Sequence, residues 1–420
     1  MSAVATTTSA AAKTRRSRRF GAFSLLLVAV MGGAFTTTAR GDTATFVLND
    51  ARGQLFDLPA LVLPVVPTVI VLTIAVAAIA ARQLTTGFGD RAVVMVGVAS
   101  GLFVLAFLTW AAAGDALSVI GLLRGTVRAS TPIAFGALCG VLCERAGVIN
   151  IAIEGQFLAA AFAAAVFASM AGSPWVGLLG GIGAGALVAW MLAGLSIKFK
   201  ADQIVVGVVL IVFATGVTSF LTTQILSGNP QLNTPSRFPT LEIPLLAEIP
   251  IVGPILFRQT ILGFGMFVAV AWLHYALFET KWGLRLRSVG EHPKAADTVG
   301  IRVLATRYRA VLLGGVVAGI GGSWWTLDAV GQFSREMTGG RGFIALAAML
   351  VGRYSPVGAF GAALLFGFAD ALATSLQLLG VPIPSTLLLT APFVVTIIVV
   401  AGLVGRLRPP AANGQPYVKG

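Results

Sequence analysis

Few side chains in this chain can take part in chemistry, and those few sit in unusual places. Residues 144–155 read ERAGVINIAIEG and interrupt an otherwise apolar region. Asn150 and Glu154 lie one helical turn apart there. Asn150 is expected to cap the helix that follows, with Glu154 in its first turn, where the helix dipole favours a carboxylate. Residues 337–352 read MTGGRGFIALAAMLVG, in which Gly339, Gly340 and Gly342 loosen the backbone ahead of Phe343 and a short apolar run. Asp370 lies in the middle of an apolar stretch from Pro356 to Leu379. A charged carboxylate at mid-bilayer costs about 2.5–3.5 kcal/mol on insertion scales, so Asp370 must meet protein or water, or carry a proton. A proton relay needs a chain of partners, and His274 is the one histidine within an apolar stretch. A structural hydrogen bond is therefore the expected role of Asp370.

Other chemistries are excluded by what the sequence lacks. No Lys follows a Gly, so there is no phosphate loop of the G-x-x-x-x-G-K-[ST] kind. There is no H-E-x-x-H pattern, and two histidines in all argue against a metalloenzyme or membrane hydrolase. Cys139 and Cys143 are the only cysteines, and two ligands do not close a zinc site. What remains is a transporter driven by a partner, a secondary transporter or a channel.

The elements that must hold these residues are membrane helices. Of 420 residues, 57% are hydrophobic and 11% charged, against about 25% charged in soluble domains. The reading is an all-α, polytopic membrane bundle of about ten to twelve helices, two of them short or broken. A net charge of +13 does not imply nucleic acid, because the bases cluster in tails and in loops between apolar runs. Residues 1–57 are expected to form a basic cytosolic tail, a first span from Phe20 to Phe35 and a short outer loop. The membrane-spanning body covers 58–408 and a short tail covers 409–420. Within the body, Asp115 to Ala129 is expected as a surface helix carrying Arg124 and Arg128. Thr131 to Cys143, at about 13 residues, is too short for an ordinary span of about 20. Ser173 and Asp202 are expected to cap the helices that follow them, and Ser385 to Val404 is expected as the last span. Asp328 and the Trp324–Trp325 pair sit near an outer end, where solvation and an interfacial belt are the expected roles. Gly97/Gly101 and Gly177/Gly181/Gly185 are spaced for close helix contact. Short or Gly-interrupted segments in both halves of a transporter point to a substrate route, which would run past Asn150, Glu154, Gly340, Gly342, Phe343 and Asp370.

The longest charged segment runs from about 279 to 309 and holds Lys281, Arg285, Arg287, Lys294, Arg302, Arg307 and Arg309. Between two spans, such a loop faces the cytosol, where Arg285 and Arg287 would meet lipid headgroups. Pro293 followed by Ala295–Ala296 predicts a short helix within it. Small residues at Ala295, Ala296 and Gly300, beside Glu291 and Asp297, would suit docking of a cytosolic partner.

Three stretches carry a resemblance. ERAGVINIAIEG (144–155), MTGGRGFIALAAMLVG (337–352) and GAALLFGFADAL (361–372), in this order, resemble the permease family of ABC importers for branched-chain amino acids, simple sugars and nucleosides. The wording GRGFIALAA is most similar to the sugar and nucleoside branch. HPKAADTVGI (292–301) resembles the coupling segment that such permeases dock on their ATPase, which would involve Glu291, His292, Pro293, Ala295, Ala296, Asp297 and Gly300. The likeness covers about 122–406. Ala152 and Gln156 depart from it, where Gly and Met are more usual, as does bulky Trp324–Trp325. The resemblance implies a non-enzymatic subunit in a bacterial plasma membrane, importing nucleosides or simple sugars, and the basic tail before Phe20 predicts an N-terminus in the cytoplasm. It further implies cytosolic ATPase subunits that hold the ATP and Mg, a second permease subunit forming a homo- or heterodimer, surrounding lipid and an extracytoplasmic solute-binding protein. The competing expectation is a proton-coupled transporter of small polar solutes working through Asp370.

Overall fold

In a computed structural model, the described residues are 20–50, 55–381 and 408–418, with 384, 387 and 390 between them. The basic tail before Phe20 and nearly all of the expected last span lie outside these. Among the described residues, nine helices are long and apolar enough to cross a membrane, and two shorter apolar helices accompany them. The chain divides into two compact units, residues 1–121 with 374–388, and residues 122–373 with 389–420.

The first unit contains α1 (Phe20–Phe35), α2 (Val65–Thr85) and α3 (Ala92–Ala111). Phe35 packs among Phe103, Phe107 and Trp110, with ring centres 5.2–5.7 Å apart. A small sheet departs from the all-helical expectation. Strand β1 (Thr43–Val47) pairs antiparallel with β2 (Leu61–Pro64) and parallel with β3 (Ala116–Ser118). Thr, Val and Phe suit a strand here, and the pairing satisfies the backbone groups that precede α2. Gly97 and Gly101 face open space and make no close helix contact.

The second unit opens with α4 (Val119–Arg145). It corrects the expected surface helix and short segment, since residues 119–145 form one helix through Pro132. Pro132 removes a backbone donor, yet the helix continues because it is enclosed by its neighbours. The Ser130 and Thr131 hydroxyls donate to the Val127 carbonyl in the turn before the proline. After α4 the chain doubles back without helix through residues 148–152 and enters α5 (Ile153–Ala171). Next come α6 (Pro174–Ala193), α7 (Gln203–Leu221) and α8 (Ile261–Glu279). Two short helices follow, α9 (Lys281–Glu291) and α10 (Pro293–Thr298), then α11 (Val303–Trp324), α12 (Arg341–Val351) and α13 (Pro356–Leu378). The Asp202 carboxylate accepts from the Ile204 and Val205 amides and caps α7 as expected. Ser173 occupies the cap position of α6 but makes no side-chain bond there. The proline-rich segment 227–257 is mostly irregular, and its strand β4 (Leu241–Glu242) pairs with β5 (Arg258–Gln259).

Small residues set the closest helix contact. A Cβ added at Gly185 would lie 2.6 Å from the Gly315 carbonyl oxygen, and one at Gly319 would lie 2.7 Å from that of Gly181. Backbones of α6 and α11 thus meet directly, as the spacing of Gly177, Gly181 and Gly185 predicts. Trp324 and Trp325 are buried rather than belted at an interface. A wider turn, Trp325–Ala329, ends α11 and rotates Trp325 inward onto Phe157, at 5.3 Å between ring centres.

Candidate functional site

Glu154 joins the two interrupted segments. It stands in the first turn of α5 and is 8% exposed. Its carboxylate does not serve its own helix. One oxygen accepts from the Thr338 hydroxyl at 2.6 Å and the Gly340 amide at 2.9 Å, and the other accepts from the Gly342 amide at 2.6 Å. Glu154 therefore supplies the cap that α12 lacks, on donors that no earlier residue of that helix satisfies. The glycines are required by geometry. Gly340 has φ +77°, and a Cβ on Gly342 would lie 2.5 Å from the Glu154 amide nitrogen.

Asn150 is close by in sequence but does not cap α5. The cap position falls to Ala152, which has no side chain suited to it. Because the chain runs without helix through 148–151 and turns at Ala152, the Asn150 amide lies in a buried cluster instead. It donates to Cys139 Sγ at 3.2 Å, Cys143 Sγ at 3.5 Å and Gln156 Oε1 at 3.4 Å. Asn150 Oδ1 and Gln156 Nε2 stay buried without a hydrogen-bond partner. This non-helical segment is held from α7, where Gln203 Oε1 accepts from the Ile149 amide at 2.7 Å.

Asp370 has a base for a partner. Arg341 Nε donates to its carboxylate at 3.1 Å, with the two side chains 32% and 17% exposed. A base at the start of a helix opposes the dipole, so Arg341 needs such a carboxylate. That conflict is a signal in the sequence that could have found the pair, although the sequence reading did not use it. We expect Asp370→Asn to lower thermal stability by about 1–2 kcal/mol, less than for a dry pair, because Arg341 retains access to solvent. Arg341→Gln added to Asp370→Asn should recover most of the loss, as a double-mutant cycle on thermal unfolding would record.

One placement corrects the sequence reading. Asp328 is buried, not solvated. It forms an ion pair with Arg128 at 2.9 Å and accepts from the Thr260 hydroxyl, tying α4, the end of α11 and the start of α8 together. Phe343 is 47% exposed and stands apart from the Glu154 contacts. Of the expected route residues, Glu154, Gly340 and Gly342 meet directly, Asp370 joins through Arg341, and Asn150 lies in the neighbouring amide–thiol cluster.

The basic loop folds as α9 and α10, with Pro293 in the first turn of α10 as predicted. His292, Lys294, Ala295, Thr298 and Val299 are exposed, while Ala296 is buried against Val289, Val303 and Tyr417. Residues 408–418 lie along this region. Ala412 and Gly414 amides donate to the Gly290 and Gly147 carbonyls at 2.9 and 3.3 Å. Ala411 donates to Glu291 at 3.1 Å, Asn413 donates to Glu144 at 2.7 Å, and buried Arg307 donates to the Gln415 carbonyl at 2.7 Å. Burial pushes the Tyr417 phenol up, and the adjacent Asp297 carboxylate adds to this. Both acids expected to meet a partner are thus engaged within the chain. Nothing in the sequence of the tail signalled these contacts, which are mostly to backbone.

The sequence model of the family described as "Branched-chain amino acid transport system / permease component" matches residues 122–404. The chain belongs to that family. It is 40% identical over 314 residues to the Guanosine ABC transporter permease protein NupQ of Bacillus subtilis (strain 168), covering 72% of this chain and 98% of that one. It is 42% identical over 299 residues to the Nucleoside ABC transporter permease protein NupC of Lactococcus lactis subsp. cremoris (strain MG1363), covering 69% and 94%. No solved structure matches. Family membership carries the expectation of a transport permease rather than an enzyme. Among the described residues no cluster of three or more His, Cys, Asp or Glu is placed to hold a metal.

Proposed function

We propose that this chain is the membrane-spanning subunit of an ATP-driven importer that carries nucleosides, or related simple sugars, into the cytoplasm. The observation that carries this reading is the identity of 40–42% over nearly the full length of two nucleoside-class permeases. The geometry supports it. A cap made across two interrupted segments by one carboxylate can be formed and released without unfolding either helix. That is the kind of two-state contact that alternating access requires. The proposal places the chain in a bacterial plasma membrane, with its N-terminus and the α9–α10 loop in the cytoplasm. ATP and Mg belong to separate ATPase subunits, and a second permease subunit and an extracytoplasmic solute-binding protein complete the assembly. The proton-coupled alternative is less well supported, because Asp370 is paired with Arg341.

The test is guanosine uptake into vesicles that hold the purified assembly. Uptake should require ATP and persist when an uncoupler collapses the proton gradient. Uptake that stops with the uncoupler while ATP is present would favour the proton-coupled reading.

We propose that the ATPase docks on the exposed face of α10. Ala296→Trp and Gly300→Trp are poor probes of it, since Ala296 is packed inside the chain and Gly300 has φ +83°. Ala295→Trp adds bulk on the exposed face and disturbs nothing within the chain. It should leave membrane insertion and thermal stability unchanged and lower ATPase co-purification about tenfold, an effect of about 1.4 kcal/mol. Normal co-purification would place the coupling surface elsewhere.

A further inference from the structure

We propose that the cavity between α9 and the start of α11 binds the phosphate headgroup of an anionic phospholipid, from the leaflet that adjoins the α9–α10 loop. The cavity measures about 470 Å³ and is lined by Trp282, Arg285, Leu286, Ile301, Arg302 and Arg309 among others, with no acidic residue in its wall. Three arginines line it, and all three are exposed.

The other arginines nearby are already engaged. Arg287 lies over the Phe278 ring at 4.9 Å, with Arg145 over the same ring at 5.5 Å. Arg145 also donates to the Tyr354 carbonyl, and Arg307 donates to the Gln415 carbonyl. Arg287, partly buried over that ring, does not line the cavity. No ion pair or side-chain hydrogen bond engages Arg285, Arg302 or Arg309 among the described residues. Like charges gathered without a counter-charge repel one another, and an anion in the cavity removes that repulsion. Guanidinium groups bind phosphate oxygens through paired N–H donors, which suits a phosphodiester better than a lone ammonium would.

Depth decides between the sources of that phosphate. Trp282 follows the last residue of α8, Glu279, by three positions, and Arg309 lies six residues past Val303 at the start of α11. At 1.5 Å per residue, six residues place Arg309 about 9 Å along that helix. The cavity thus lies at the ends of two spans, at headgroup level. On α8, Trp272 and Tyr275 are 59% and 61% exposed and present an aromatic face to the bilayer just beyond it. On α9, Leu284 is 61% exposed beside basic neighbours, as in a helix lying in the membrane interface. A soluble phosphate or an acidic protein loop has no use for this apolar surround, whereas a lipid places its acyl chains along it.

The test uses the purified full-length chain, incubated with vesicles of equal parts phosphatidylglycerol and phosphatidylcholine, re-isolated in detergent, and assayed for bound lipid by mass spectrometry. The parent chain should retain phosphatidylglycerol over phosphatidylcholine. Arg285→Gln with Arg302→Gln and Arg309→Gln should lower retained phosphatidylglycerol about tenfold, with an unchanged thermal midpoint in the absence of lipid. Lys200→Gln with Lys281→Gln and Lys294→Gln removes the same net charge and should retain the lipid. Equal retention by the arginine triple variant and the parent would overturn the site. Displacement of the lipid by millimolar inorganic phosphate would assign the cavity to a soluble anion and overturn the lipid reading. Loss of ATPase co-purification with lipid retention unchanged would assign it to the protein partner, and would overturn it equally.

Discussion

Glu154→Ala is expected to abolish uptake and to lower the thermal midpoint of the purified chain. The side chain is nearly fully buried and accepts hydrogen bonds from one hydroxyl and two backbone amides. Alanine leaves all three donors without a partner in a place that water reaches poorly. Each such group costs about 1–3 kcal/mol, so the variant loses several kcal/mol from the start of α12. Glu154→Gln separates charge from shape. Its oxygen replaces one acceptor, but its NH₂ group then faces an amide donor, so uptake should fall at least about tenfold while the chain still inserts. Vesicle uptake and thermal unfolding read both effects. Parent-like uptake by both variants would show that the bridge between α5 and α12 plays no part in transport.

Gly342→Ala should be nearly as damaging, for a different reason. The added methyl would lie 2.5 Å from the Glu154 amide nitrogen, 2.6 Å from its Cα and 2.7 Å from its carboxylate. Two of those three atoms belong to backbone, so no side-chain rotation relieves the contact. The start of α12 must move away and lengthen the very bonds that Glu154 makes. Overpacking of a buried site costs about 1–3 kcal/mol, and lost cap bonds add to it. Glu154→Ala should not rescue Gly342→Ala, because the backbone clash remains when the carboxylate is gone. Restored uptake in the double variant would show that the carboxylate alone sets the spacing.

Together these expectations describe how the chain tolerates polar groups within a membrane. Each interrupted segment is satisfied by a partner distant in sequence. Glu154 caps α12 across 186 positions to Gly340, and Gln203 holds Ile149 across 54. Arg128 and Asp328 pair across 200. Lipid offers no hydrogen bonds, so such groups are paired within the protein.

The sequence by itself determined the class, most of the long apolar helices and the interruptions at 144–155 and 337–352, though it divided α4 into two pieces. Long apolar runs have one stable backbone solution in lipid, and bases mark their ends. It determined the α6 glycine stripe and the Asp202 cap, which depend on spacing within one element or on the residue next to it. It also determined that Glu154 starts a helix and that Asp370 needs a partner. Tertiary structure alone decided what each polar side chain meets. Whether Asn150 caps a helix or enters a thiol cluster depends on how the chain folds back against Cys139 and Cys143 of α4. Whether Asp328 is wet or paired depends on Arg128 and Thr260, which come from two other helices. Ala296 sits inside because Val289, Val303 and Tyr417 close over it, although nothing local distinguishes it from exposed Ala295. Local propensity and periodicity act over a few residues, whereas these contacts join positions tens to hundreds apart, and only the packed chain brings them within hydrogen-bonding distance.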